Sequence, residues 1–308
     1  MEIYLPIAEL PVDMFALLGM GMAVGFISGM FGIGGGFLMT PLLIFIGIPP
    51  AVVVATSSAQ IAASSVTGAL NYWRRQMVDV RLGLILLAGG LCGTGLGVLI
   101  FNAMRRLGQL ETVIVFSYVT LLGGIGLMML IESVRAVVSA QTGKAPVTRL
   151  PGKFRWYENL PFKMRFEQSN LHISVIPLLV LSLCIGMIGA LLGIGGGFIL
   201  VPALIYIFKV PTGVVVGTSL FQIMFTMIAA TMLHATTNHS VDLFLAIVLI
   251  TGGVFGAQFG ARAGANLRGE YFRLLLALLV FGVALRFALD VVARPKEPFS
   301  VSITETSR

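Results

Sequence analysis

Polar and apolar positions alternate along this chain on the scale of whole membrane spans. No Asp, Glu, Lys, Arg or His occurs between residues 14 and 73. At about 1.5 Å per helical residue, that run is roughly three bilayer cores long. Further charge-free runs cover residues 82–104, 112–131, 173–208, 210–233 and 243–261. The pattern predicts apolar segments over 14–47, 51–72, 82–104 and 112–134, then over 173–208, 212–234, 243–261 and 271–292. That makes eight segments when each glycine-interrupted stretch is counted once. The two interrupted stretches, 34 and 36 residues long, exceed a single crossing, since they would be roughly 50 Å of helix against a hydrocarbon core of about 30 Å. Each is therefore a re-entrant hairpin or a crossing followed by a half-helix.

The chain is an internal duplication. Gly32-Ile33-Gly34-Gly35-Gly36-Phe37 recurs as Gly193-Ile194-Gly195-Gly196-Gly197-Phe198, and Pro41 recurs as Pro202. After a one-residue slip, Thr56, Ser57 and Gln60 return as Thr218, Ser219 and Gln222. After another, Val78-Asp79 returns as Val241-Asp242, and Gly89, Gly93 and Gly97 return as Gly252, Gly256 and Gly260. Shared landmarks in one order, with two single-residue slips, mark two homologous repeats. The expected organisation is a first membrane repeat over 1–139, a connector over 140–172, a second repeat over 173–292 and a flexible tail over 293–308. If each interrupted stretch crosses once, the repeats lie parallel; if each returns, they are inverted. The positive-inside rule does not separate the two, and inversion is preferred because broken helices of inverted repeats meet at mid-membrane.

Composition narrows the class. The chain is 57% hydrophobic and 11% charged, too few charges to cover a soluble protein of 308 residues. Thirty-seven glycines and 15 methionines do not suit the alternating strands of a lipid-facing barrel. The reading is an all-α polytopic protein of the cell membrane, with a bacterial inner membrane expected. Cys92 and Cys184 both fall inside apolar runs, where buried packing is expected instead of a disulfide or metal site. The amino end holds Glu2, Glu9 and Asp13 without a basic residue, the wrong sign for a cleaved signal, so the first helix is expected to stay. The net charge of +7 is spread over short loops, which argues against a nucleic-acid partner. The basic, aromatic-rich stretch 144–165 reads as a cytoplasmic segment on lipid headgroups.

Two constellations carry candidate chemistry. Each glycine cluster interrupts a helix inside the bilayer, which is tolerated only where backbone is buried in protein or lines a wet cavity. The residues after each break, 37–45 and 198–206, read as half-helices. The amides of Gly34, Gly35, Gly36, Gly195, Gly196 and Gly197 would then present positive helix ends to a small anion. Neither cluster has the GK[ST] of a phosphate loop. The second constellation is a polar stripe. Thr56, Gln60, Ser64 and Thr67 fall on one helical face, with Thr218, Gln222 and Thr226 at the matching places. Together with Ser57 and Ser219 they complete the candidate substrate-binding set. The other reading of both is interhelical packing and hydrogen bonding.

Other residues read as structural. Glycines 89, 93 and 97, and 252, 256, 260 and 264, form packing ridges. Asp79 and Asp242 read as helix caps, Arg262 as an interfacial cation, and Arg286 and Asp290 as an i,i+4 pair. His234 and His239 flank a loop with no third ligand at metal spacing. No nucleophile with an oriented base, carboxylate pair, metal cluster or cofactor motif is expected, so the chain is not read as an enzyme.

The duplicated GxGGGF, the nearby Pro, the Thr-Ser helix ending before Val-Asp, and the next helix closing on Gly260-Ala261-Arg262 resemble the TauE/SafE sulfite exporter family, also called the toluene sulfonate uptake permeases. The resemblance covers residues 12–292; the connector of about 33 residues is longer than the family's usual link. It implies a secondary transporter of sulfite, an organosulfonate or a related sulfur-containing anion, working by alternating access and coupled to a proton or other ion if coupled at all. A passive anion channel and a non-transporting membrane scaffold are the alternatives.

Overall fold

The computed structural model describes residues 2–31, 33–141, 161–166, 171–208, 210–263, 277–278 and 280–289. In the first half, α1 (Met14–Phe31), α2 (Gly36–Phe45), α3 (Pro50–Arg74), α4 (Val80–Arg106) and α5 (Leu110–Gln141) follow in order. The second half repeats them as α6 (Val175–Leu192), α7 (Gly197–Tyr206), α8 (Thr212–Asn238), α9 (Leu243–Ala263) and the short α10 (Val280–Leu289). Among the described residues, seven helices are long and apolar enough to cross a membrane. This is a polytopic all-α membrane protein, with two small antiparallel hairpins added: β1 (Glu2–Leu5) with β2 (Leu10–Asp13), and β3 (Lys163–Phe166) with β4 (Leu171–Ser174).

Local chemistry sets the helix ends. Asp79 and Asp242 cap α4 and α9, accepting from Leu82 N and Leu245 N, each at 3.1 Å. Pro50 opens α3 at a position where its missing N–H costs no helical bond. Ahead of α1, Asp13 accepts from Phe15 N at 2.9 Å, and this bond holds its carboxyl below the usual carboxylate range.

Helix directions follow from which residues touch. Gly25 meets Gly253 and Gly29 meets Ala257, so α1 and α9 run parallel. Gly89 meets Leu179 and Gly93 meets Leu183, so α4 and α6 also run parallel. By contrast Gly68 meets Leu220 and Gly217 meets Tyr72, which makes α3 and α8 antiparallel. Tight turns reverse the chain between α3 and α4 and between α8 and α9. Hence every helix of the first half opposes its counterpart, and the repeats are inverted. Gly126 beside Val280 and Tyr118 beside Phe287 add the same relation for α5 and α10.

The most extensive packing lies between halves, not within them: α1 on α9, α4 on α6, and α3 on α8. Glycine makes this possible. A Cβ at Gly25 or Gly29 would fall within 3 Å of α9 backbone, and one at Gly93 or Gly97 would collide with carbonyls of α6. The period of four in the sequence thus marks backbone contacts that cross from one repeat to the other.

Cys92 and Cys184 are exposed on helix surfaces, which corrects the expectation that they pack inside. Each falls on the outward face of a helix whose glycines occupy the inward one. Asp290, Gly264 and most of the basic stretch lie outside the described residues. Arg286 lies over the Phe45 ring at 5.5 Å.

Candidate functional site

The two breaks meet at the centre of the molecule. Gly34 and Gly35 adopt φ of 87° and 69°, Gly195 and Gly196 φ of 80° and 75°, and α2 and α7 start directly after them. This left-handed backbone favours glycine. The break at 33–35 lies beside Ile61, in the middle of α3. From there the ten residues of α2, about 15 Å, run back along α3 to its start at Pro50. The interrupted stretch therefore returns towards its starting side, as inversion requires.

The breaks close directly on one another. A Cβ on Gly36 would lie 2.5 Å from Gly193 O and 2.7 Å from Ile194 O, and one on Gly197 would meet Ile33 O. Phe37 and Phe198 stack at 4.9 Å between ring centroids. Ile61 and Ile223 fill the remaining space, both within 3.6 Å of a Cβ built on Gly34. The Gly36 amide already donates to Gly34 O at 2.9 Å. In this conformation the glycine clusters are thus packed shut, and an anion reaches their amides only if the two isoleucines part.

The polar residues divide into two kinds. Thr56 Oγ1 accepts from Asp242 N at 3.1 Å and Thr218 Oγ1 accepts from Asp79 N at 3.0 Å. Each threonine thereby ties the start of the other half's glycine-rich helix to the bundle. Ser57, Gln60, Ser219 and Gln222 are different. All four are buried, and Ser57 Oγ, Gln60 Oε1, Ser219 Oγ and Gln222 Oε1 have no hydrogen-bond partner among the described residues. A buried polar atom left unpaired costs about 1–3 kcal/mol, so such atoms in symmetric pairs call for an explanation. Because α3 and α8 are antiparallel, the Ser57/Gln60 pair lies on one side of the breaks and the Ser219/Gln222 pair on the other. The structure brings the glutamines close to the centre and holds the Thr-Ser pairs apart.

Gln60 Nε2 donates to Ser64 Oγ at 3.2 Å. Swapping the amide O and N, an assignment fixed only by the hydrogen-bond network, would let Ser64 donate and turn the Gln60 N–H groups outwards as donors. Each carboxamide therefore presents either an acceptor or donors to a ligand.

Several contributing residues escape the sequence reading. Gly253 is wedged between Gly25 of α1 and the Gln60 side chain, where a Cβ would lie 2.6 Å from Nε2. Its counterpart Gly90 is wedged between Gly186 of α6 and Gln222, with Nε2 at 2.5 Å. The signal was present as paired glycines, Gly89-Gly90 and Gly252-Gly253, of which one faces a helix and the other a glutamine. Thr40 and Tyr118 donate to Gly193 O at 3.2 Å and Leu192 O at 2.8 Å, satisfying carbonyls freed where α6 ends. His234, buried, lies 3.2 Å from Ala190 O and 3.0 Å from Asn238 Nδ2. Among the described residues no group of three His, Cys, Asp or Glu is arranged to hold a metal ion.

The family model described as "Sulfite exporter TauE/SafE" matches residues 17–287. The chain is 24% identical over 276 residues to "Probable membrane transporter protein YunE" of Bacillus subtilis (strain 168), covering 86% of this chain and 93% of that one. It is 26% identical over 296 residues to a "Probable membrane transporter protein" of Xylella fastidiosa (strain 9a5c), covering 91% and 98%. A shorter match, 47% over 53 residues, covers 17% of this chain and 12% of "Sulfite exporter TauE/SafE family protein 1" of Arabidopsis thaliana. No solved structure matches the chain significantly.

Proposed function

The chain belongs to the sulfite exporter TauE/SafE family of membrane transporters, and from that premise we propose that it carries a small sulfur-containing anion, sulfite or an organosulfonate, by alternating access. The observation supporting this reading is the set of buried, unpartnered oxygens on Ser57, Gln60, Ser219 and Gln222, distributed symmetrically about the two helix breaks. Hydroxyls and carboxamides suit this task. They supply donors to sulfonate or sulfite oxygens without burying a cation, whose desolvation in a membrane is costly. The half-helix starts at Gly34–Gly36 and Gly195–Gly197 add partial positive charge of about half a unit each.

Ile61 and Ile223 act as the central barrier. When one break and its half-helix withdraw from the other, the anion passes from the glutamine on one side, over the glycine amides, to the glutamine on the other. Inverted halves make the two movements equivalent in geometry. A proton or another ion is the coupling partner where transport is uphill.

Flux of sulfite into liposomes holding the purified protein tests the reading. Accumulation against a gradient under an imposed ion gradient is the expected result, with Gln60→Ala and Gln222→Ala each weakening it and their effects coupled by about 0.5–3 kcal/mol. Flux that only dissipates gradients would favour a channel. No flux of sulfite or any sulfonate would leave a scaffold, and full activity in the double variant would remove the glutamines from the site.

A further inference from the structure

A cleft of about 310 Å³ opens at the ends of α3 and α9, lined by Thr67, Leu70, Asn71, Arg74, Gln258 and Arg262. Its size is at the lower end of small-molecule sites, about 300–1,000 Å³. Arg74 and Arg262 are exposed, and neither pairs with a carboxylate among the described residues. Two guanidinium groups in one cleft repel each other unless an anion joins them, and each offers a fork of donors that fits an oxyanion.

A stripe of polar positions on one face of α3 runs from the cleft towards the central site. Gln60, Ser64, Thr67, Asn71 and Arg74 are spaced four, three, four and three residues apart and so form a single stripe. Their exposure rises in that order, from buried Gln60 and Ser64, through half-buried Thr67 and Asn71, to exposed Arg74. On α9, Gly253 packs directly against the Gln60 and Ser64 side chains, while Gln258 and Arg262 reach the mouth.

The other half has no such track. Beyond Gln222 and Thr226 the matching positions are Ala229, Leu233 and Thr236 on α8, with Gly95 and Leu99 on α4. The mouth at the ends of α4 and α8 has its own arginines, Arg105 and Arg106, but Arg105 is engaged by Asn238 O and Ser240 Oγ and no polar stripe leads inwards from it along α8. An interfacial role alone would account for two basic residues in last helical turns, but not for a polar stripe leading inwards from them on this side only.

We propose that Arg74 and Arg262, with Thr67, Asn71 and Gln258, form an oxyanion-binding vestibule at the mouth where α3 and α9 end, from which the polar face of α3 leads inwards to Gln60. The proposal rests on the transport reading for its destination, while the binding itself is testable without flux. The vestibule faces the side on which α3, α5 and α9 end and α6 begins. It holds a sulfonate or a chemically equivalent oxyanion in transit.

The test uses Leu70→Cys as a reporter in a Cys92→Ser, Cys184→Ser protein, reconstituted in phosphatidylcholine vesicles. Labelling rates are compared for a negatively charged sulfonate-bearing methanethiosulfonate and its trimethylammonium analogue. With both arginines present, the ratio of anionic to cationic rates should exceed that of the Arg74→Gln, Arg262→Gln variant by about tenfold, and millimolar methanesulfonate should slow the anionic reagent. A ratio unmoved by R74Q and R262Q would overturn the proposal. So would an arginine effect that exists only in vesicles containing phosphatidylglycerol, which would mark the pair as ligands of lipid headgroups. Failure of wild-type protein to carry any sulfonate would instead sink the transport reading and leave the labelling result standing.

Discussion

Replacing Gln222 with Met removes a buried carboxamide oxygen that has no hydrogen-bond partner among the described residues, at nearly constant side-chain length. If the glutamine served only the fold, this change would do little or harm it. The geometry gives the opposite expectation. An unpartnered buried oxygen costs about 1–3 kcal/mol, and Met returns apolar contact to the space beside Gly90 and Thr226, so Gln222→Met should stabilise by that amount. Gln60→Met gains slightly less, since it gives up the bond to Ser64, worth about 0.6 kcal/mol between helices in a membrane. Thermal unfolding in detergent, followed by size-exclusion recovery, should move upward by about 2–4 °C per kcal/mol. Transport in liposomes should fall by at least tenfold, or about 1.4 kcal/mol in binding or barrier, because a thioether cannot donate to an anion. A variant that loses stability yet keeps full transport would refute the reasoning, because it would show the carboxamide to be a structural hydrogen-bonding group. Stability and activity moving in opposite directions is the signature of a site whose polarity the fold itself does not use.

The breaks make a sharper contrast within one turn. Gly34→Ala adds a methyl that meets Ile61 and Ile223 at ordinary distances of 3.4–3.6 Å, so it should cost only the left-handed strain of about 1–2 kcal/mol. Gly36→Ala, at a helical φ, carries no such strain but meets the opposite break's carbonyls below 3 Å and should cost about 3 kcal/mol from overpacking, a difference visible in paired thermal melts. For the topology, Gln76→Cys and Asn238→Cys should react with an impermeant maleimide from opposite sides of intact cells; labelling from the same side would contradict the inverted arrangement.

Much of this fold was legible in the sequence because membranes restrict what a chain can do. The half-helices read at 37–45 and 198–206 lie within one residue of α2 and α7. Asp79 and Asp242 were readable as caps from their position ahead of apolar runs. What periodicity does not encode is the partner. Glycines every fourth residue announce that a backbone comes close, but not that α9 receives α1 from the other half. The threonines show the same limit: Thr56 and Gln60 share a helical face, yet only the bond from Asp242 N reveals that Thr56 is already engaged. Cys92 and Cys184 went wrong for a related reason, since in a membrane an apolar neighbourhood does not distinguish lipid from core.

Because α1 closes on α9, the ribosome delivers one face of that contact long before the other. Gly21, Gly25 and Gly29 enter the bilayer early and meet only acyl chains until the residues around Gly253 and Ala257 have been made. At about 5–20 residues per second, that interval lasts roughly 10–50 s. Throughout it the nascent first half is a set of inserted but unlatched helices, exposed to membrane chaperones and proteases. A chain that stalls before α9 keeps that glycine ridge bare.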